Sequence, residues 1–198
     1  MIKLIVLQVL QKKQQQQQQR RRQRRVDHCI DISIDVHQHY HTIDIDLVWL
    51  TPQLPQGSDL ERVESFGLGN RLKIVLSADV GKDRHSVLTF FRIADAFALP
   101  SLVEGLPIAL LEAMALGLPS ISTNINAIPE AIFDEKTGLL IEPADSDALA
   151  NAIERLADNA VLRESIANNG RELVLRDFDE RHVAANIIDS YKRSLDRK

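Results

Sequence analysis

The sequence predicts an α/β fold: a Rossmann-like parallel sheet with helices on both faces, followed by C-terminal helices. Three observations predict it. From residue 47 onward, short runs rich in β-branched and aromatic residues alternate with runs of helical periodicity, the order that builds β–α units and a parallel sheet. The stretch EGLPIALLEAMALGLP, residues 104–119, is helix-like and apolar on every face, so it belongs inside the fold. At 198 residues, 44% hydrophobic and 26% charged, the chain has a globular composition and the length of one ordinary domain, too little for two large ones.

The N-terminal segment, residues 1–46, is set apart from this pattern. Residues 1–25 carry eight Lys or Arg and no acid, so the net charge of −4 leaves 16 basic against 28 acidic residues in the remainder. QKKQQQQQQRRRQRR, residues 11–25, is low-complexity and basic, a solvated linker rather than a specific nucleic-acid site because no aromatic residue accompanies it. Deleting residues 1–25 is expected to leave stability unchanged, since that segment shows no packing stripe. MIKLIVLQVLQ is interrupted by glutamine and followed by no small-residue cleavage site, so it is not read as a signal peptide. No run reaches transmembrane length. The single cysteine, Cys29, excludes an internal disulfide framework and fits a reducing cytoplasm, with any membrane contact peripheral.

Taken in order, Ile30, Ile32, Ile34 and Val36 alternate with polar residues, as in a half-buried strand. His37, His39 and His41 would share one face there, but no second ligand cluster is evident and a polar edge explains them. The Asp-x-Asp triplet at Asp44 and Asp46 carries no weight in a chain with several such triplets. LVWL then reads as a strand, Ser58 or Asp59 as the cap of a helix ended by Gly67, and LKIVLS as a second strand. A helix SVLTFFRIAD leads into the strand AFALP, the loop SLVEG, a helix from Pro107 to Gly117, and the strands SIST and TGLLIE. Asp145 or Ser146 opens the first of three C-terminal helices, and Asp179 opens the last, whose Val183, Ile187, Tyr191 and Leu195 form a packing stripe. His85 and His182 stand alone and read as surface residues.

Ligands of an open parallel sheet bind outside the carboxyl ends of its strands, which is where SLVEG falls. Gly105 lets a ligand approach the backbone, Pro107 suits the first helical position, and the amides of Ile108 and Ala109 face outward at the positive end of the helix, an anion site. Glu104 at the mouth can accept hydrogen bonds from hydroxyls. Glu112 is the harder residue to place, because no Lys or Arg lies within one turn of it and a buried, unpaired carboxylate costs several kcal/mol, on the order of 3–5. Its partner is distant in sequence or is a ligand rich in hydroxyls and phosphate; the second reading is the one adopted here.

DAFALPSLVEGLPIALLEAMALGLPSIST with IPEAIFDEKTGLLIEPAD resembles the C-terminal, donor-binding domain of family 4 (group 1) glycosyltransferases, retaining enzymes of the two-domain GT-B fold. The shared features are Glu104 and Glu112 as the Glu-x7-Glu motif, the Gly-x-Pro between them, Pro129 with Glu130, and Thr137 with Gly138. The resemblance runs from about Leu47 to Leu195. It implies a nucleotide-sugar donor whose sugar is held by Glu104, Gly105, Leu106 and Pro107, whose phosphates meet the backbone of Ile108 and Ala109, and whose ribose is held by Glu112. It names no catalytic residue in this chain, no metal and no cofactor. It further implies that residues 47–198 are an incomplete enzyme, with the acceptor-binding domain missing or supplied as a separate chain, and a cytoplasmic location peripheral at the inner membrane face.

Several positions depart from the family pattern. The Gly-Arg…Lys-Gly segment that neutralises the donor diphosphate is absent, and MIKLIVLQVLQ resembles at best the helix that follows it. The glycine-rich turn after LVWL reads TPQLPQG, and Asn126-Ala127 replaces a Gly-Gly, adding bulk beside the ligand. A base-binding loop is expected around Ser77 to Lys82. Glu104 as a direct nucleophile is less favoured than Glu104 as a binding residue, because loop and helix positions suit gripping hydroxyls. Three classes follow: a hexosyltransferase needing an acceptor domain, a nucleotide-sugar binding module, or an inactive fragment.

Overall fold

The computed structural model describes residues 2–7, 45–65, 67–81 and 83–195. Among these, the apolar runs form six strands: β1 (Ile2–Leu7), β2 (Ile45–Thr51), β3 (Leu72–Leu76), β4 (Ala96–Leu99), β5 (Ser120–Thr123) and β6 (Leu139–Ile141). They lie in the order β3-β2-β1-β4-β5-β6, every pair parallel. The helices are α1 (Ser58–Ser65), α2 (Ser77–Val80), α3 (Arg84–Phe91), α4 (Ile108–Ala115), α5 (Ser146–Asp158), α6 (Ala160–Asp177) and α7 (Glu180–Leu195). The strand order reverses direction between β1 and β4, and such a switch point opens a crevice at the carboxyl ends of the two strands.

Side chains that alternate along each strand feed two cores. On one face Leu4, Val6, Leu47, Ala96, Ala98 and Ile121 pack under α5 and α6, which contribute Leu149, Ile153, Leu156 and Ile166. On the other, Ile5, Val48, Leu50, Phe97 and Leu99 pack with Phe91 of α3 and Leu110, Ala113 and Met114 of α4. Helices therefore cover both faces, as the sequence predicts.

The N-terminus corrects the sequence reading. Ile2–Leu7 is an interior strand of the sheet, paired with β2 over six residues and with β4 over three. Leu4, Ile5 and Val6 are exposed by 1%, 0% and 2%. The segment is thus neither an outlying tail nor a helix. A central parallel strand is buried on both faces, so it shows no alternation to distinguish it from any other short apolar run. The domain expected from residue 47 takes in residues 2–7, and β2 opens at Ile45. Residues 8–44, with the basic tract, Cys29, the alternating run 30–36 and His37, His39 and His41, lie outside the described residues.

Local capping sets several helix ends. The carboxylate of Asp83 accepts from the Ser86 amide at 2.9 Å and from the Ser86 hydroxyl at 2.7 Å, so α3 starts two residues before the expected SVLTFF. At the end of α4 the Leu118 amide donates to the Ala113 carbonyl and the Gly117 amide to that of Met114. Gly117 has φ 78°, and this left-handed closure is where glycine costs nothing. Asp145 caps α5 by accepting from the Ala148 amide at 2.8 Å.

The turn before β6 is locked by Thr137, whose hydroxyl donates to the Ala131 carbonyl at 2.9 Å and accepts from the Phe133 amide at 2.8 Å. Gly170 of α6 rests against that turn: a Cβ there would stand 2.6 Å from the Thr137 carbonyl oxygen and 3.2 Å from Met114 Cε. The stripe on α7 is a second correction. Val183, Ile187, Tyr191 and Leu195 are 40%, 51%, 70% and 71% exposed, so its periodicity is amphipathic without being packed into the described core.

Candidate functional site

The site begins where β4 ends. Three polar side chains of β5 and the turn after it reach across to hold the loop leaving β4. The Ser122 hydroxyl donates to the Leu99 carbonyl at 2.9 Å, the Thr123 hydroxyl to the Ser101 carbonyl at 2.7 Å, and the Asn126 side-chain amide to the Glu104 carbonyl. Each bond engages a backbone oxygen, so the loop path is tied to its neighbour strand. Asn126 has φ 46°, a left-handed conformation that asparagine tolerates. Where Gly-Gly was expected, the asparagine keeps the glycine-like backbone and turns its amide onto the loop that carries Glu104.

Glu104 is 8% exposed, and its Oε1 accepts from the Ser101 hydroxyl at 3.2 Å. Beside it Gly105 is open: a Cβ built there meets no heavy atom within 4 Å. Leu106 packs its side chain into the α4 face of the core, and Pro107 is buried. Pro107 is the residue before the helix, with ψ 125°, one position earlier than expected. The carbonyl of Pro107 accepts from the amides of Leu110 and Leu111. No side chain caps α4, and the amides of Ile108 and Ala109 meet no acceptor among the described residues. Orphan donors at a helix start carry its positive partial charge.

Glu112 has a partner within the chain. Arg84, the first residue of α3, places Nε 2.7 Å from Glu112 Oε1. Of the two partners the sequence left open, the one distant in the chain is present, which corrects the choice of a ligand as the sole partner. Glu112 is 12% exposed and Arg84 71%, so a largely covered carboxylate is paired with an arginine that stands mostly in solvent. Sequence reasoning missed Arg84 because only the packing of α3 beside α4 brings the two together.

Helical side chains lean toward the N-terminus, onto the residues three and four positions earlier. Glu112 thus follows the Ile108 and Ala109 amides by one turn of α4, and Glu104 precedes them in the loop. The expected base-binding loop is partly helical, with α2 over Ser77–Val80. The Asp83 carboxyl that follows it is held below its ordinary value, first by the Ser86 hydroxyl and then by the Ser86 amide. Among the described residues no three His, Cys, Asp or Glu side chains group as metal ligands, and no helix is long and apolar enough to cross a membrane. His85 and His182 are exposed.

Comparison with known proteins agrees with this architecture. Residues 61–173 match the family of glycosyl transferases group 1. An Escherichia coli UDP-Gal:alpha-D-GlcNAc-diphosphoundecaprenol alpha-1,3-galactosyltransferase is 38% identical over 108 residues, which is 54% of this chain and 28% of that protein. The D-inositol 3-phosphate glycosyltransferase of Saccharomonospora viridis is 31% identical over 155 residues, 75% of this chain and 35% of its own length. Among solved structures, Anabaena Alr3699/HepE in complex with UDP and glucose superposes with a TM-score of 0.72 at 18% identity, covering 96% of this chain and 48% of that one. The C-terminal domain of the group 1 glycosyl transferase LpcC from Francisella tularensis gives 0.71 at 23% identity, covering 90% and 87%. The chain thus spans about a third of these curated relatives, and its fold is that of the C-terminal half of a GT-B enzyme.

Proposed function

The chain belongs to the group 1 glycosyltransferases, and on that premise we propose that residues 2–7 and 45–195 hold the nucleotide-sugar donor of a retaining hexosyl transfer. The acceptor comes from a second domain or chain. The observation that supports this most directly is the arrangement at the end of β4: a buried glutamate on a loop tied at three points, an uncapped helix start, and a second carboxylate along the same helix. Glu104 is the acceptor for the hydroxyls of the donor sugar, with Gly105, Leu106 and Pro107 shaping the floor beside it. The amides of Ile108 and Ala109 donate to the phosphate oxygens, and Glu112 accepts from the ribose hydroxyls.

In this reading the chemistry is electrostatic. As the bond between the sugar and the diphosphate breaks, negative charge grows on the phosphate oxygen, and preorganised amides at a helix start stabilise it without reorganising. Glu104 aligns the sugar and does not attack it. No metal takes part, and the protein works in the cytoplasm, peripheral to the inner membrane face. The UDP bound by Anabaena Alr3699/HepE makes uridine diphosphate the first ligand to test.

The test is calorimetric titration of the full chain with UDP and UDP-glucose, with and without chelator. Glu112→Gln loses a charge-assisted hydrogen bond worth roughly 1.5–3 kcal/mol, about tenfold or more in Kd, for both ligands. Glu104→Gln weakens UDP-glucose and leaves UDP nearly unchanged. Equal losses for both ligands in both variants contradict the division of roles, and binding abolished by chelator contradicts the metal-free reading.

A further inference from the structure

We infer that Arg84 is a built-in competitor for Glu112, an arginine that occupies the ribose carboxylate in the free protein and must yield when a nucleoside binds. The inference rests on the assignment of Glu112 to ribose and adds to it the residue that sets the affinity of that subsite.

Three features carry it. Glu112 Oε1 already accepts a charge-assisted hydrogen bond from Arg84 Nε at 2.7 Å, so a vicinal diol approaching the carboxylate meets one oxygen engaged. The carboxylate is 12% exposed while Arg84 is 71% exposed, so the carboxylate is largely covered and the arginine that pairs with it stands mostly in solvent. Arg84 is also anchored at one end only. Its backbone is fixed at the first turn of α3 by the Asp83 cap, but its side chain faces solvent and can leave Glu112 without disturbing either helix.

An ion pair with one largely exposed member contributes little, at most about 1 kcal/mol, which converts to about a fivefold change in affinity at tenfold per 1.4 kcal/mol. The latch is therefore weak enough for a ligand to open and strong enough to measure. It also has a signature that a merely structural contact lacks. Salt screens exposed charges, so raising ionic strength loosens Arg84 from Glu112 and should strengthen the binding of a neutral nucleoside, which has no charge of its own to be screened.

The experiment is an NMR-detected titration of the full isotope-labelled chain with uridine, adenosine and guanosine at low and high sodium chloride. Wild type, Arg84→Ala, Arg84→Gln and the double variant Arg84→Ala/Glu112→Gln are compared, with thermal melts confirming that each is folded. The expected result is two- to fivefold tighter nucleoside binding in both Arg84 variants, loss of the salt-induced gain seen in wild type, and no tightening in the double variant. Unchanged or weaker binding in Arg84→Ala overturns the inference, the latter by showing that Arg84 grips the ligand. If no variant and no wild type binds any nucleoside while all melt cooperatively, the ribose assignment itself fails and the inference with it.

Discussion

Ile5→Ala tests the placement of the N-terminal strand. Ile5 is fully buried, on a strand flanked by β2 and β4, and packs in the core beneath α3 and α4. The substitution deletes three carbons, worth about 0.8 kcal/mol each in transfer free energy. The cavity left in a strand held on both sides adds to this, giving about 2–5 kcal/mol in all. For a chain of this size that lowers the melting temperature by about 2–4 °C per kcal/mol, so by roughly 4–20 °C. Urea unfolding followed by circular dichroism measures the loss directly. Lys3→Ala is the control: Lys3 belongs to the same strand but is exposed, so its removal should stay within about 0.5 kcal/mol of wild type. If the two variants shift the midpoint equally little, β1 is not part of the core and the whole switch-point geometry is wrong.

Two further outcomes follow from single contacts. Gly170→Ala raises helix propensity by about 1 kcal/mol, but its Cβ would stand 2.6 Å from the Thr137 carbonyl oxygen. Overpacking of this kind costs about 1–3 kcal/mol, so the variant should unfold at lower urea, and a midpoint at or above wild type would refute the close approach. Asp83→Ala should show a pH-dependent deficit. The folded-state value of Asp83 is depressed below its ordinary 3.8 by Ser86, so the cap contributes fully above that value and is lost as pH falls through the lower folded value. Wild type should therefore be the more stable at pH 7 and converge on the variant in acid, and a gap that persists unchanged at low pH would rule this cap out.

The alternation of β4, α4 and β5, the ends of the helices at Gly117 and Asp145, and the cluster from Glu104 to Glu112 at a strand's carboxyl end were all legible from the amino-acid order. These features rest on local periodicity and on caps within a few residues of one another, so the partners of each interaction stand close together along the chain. Three others depended on segments far apart in sequence. Residues 2–7 became an interior strand because β2 and β4 both had a hydrogen-bonding edge for them, and a six-residue apolar run carries no mark of which edges it will fill. Asn126, read locally as added bulk beside the ligand, turned out to tie down the Glu104 loop. Glu112, with no cation near it in sequence, acquired Arg84 from the preceding β–α unit, because parallel strand order places α3 against α4. Periodicity and capping determine which residues become strands and helices; which carboxylate meets which cation is decided only by how those elements are laid side by side.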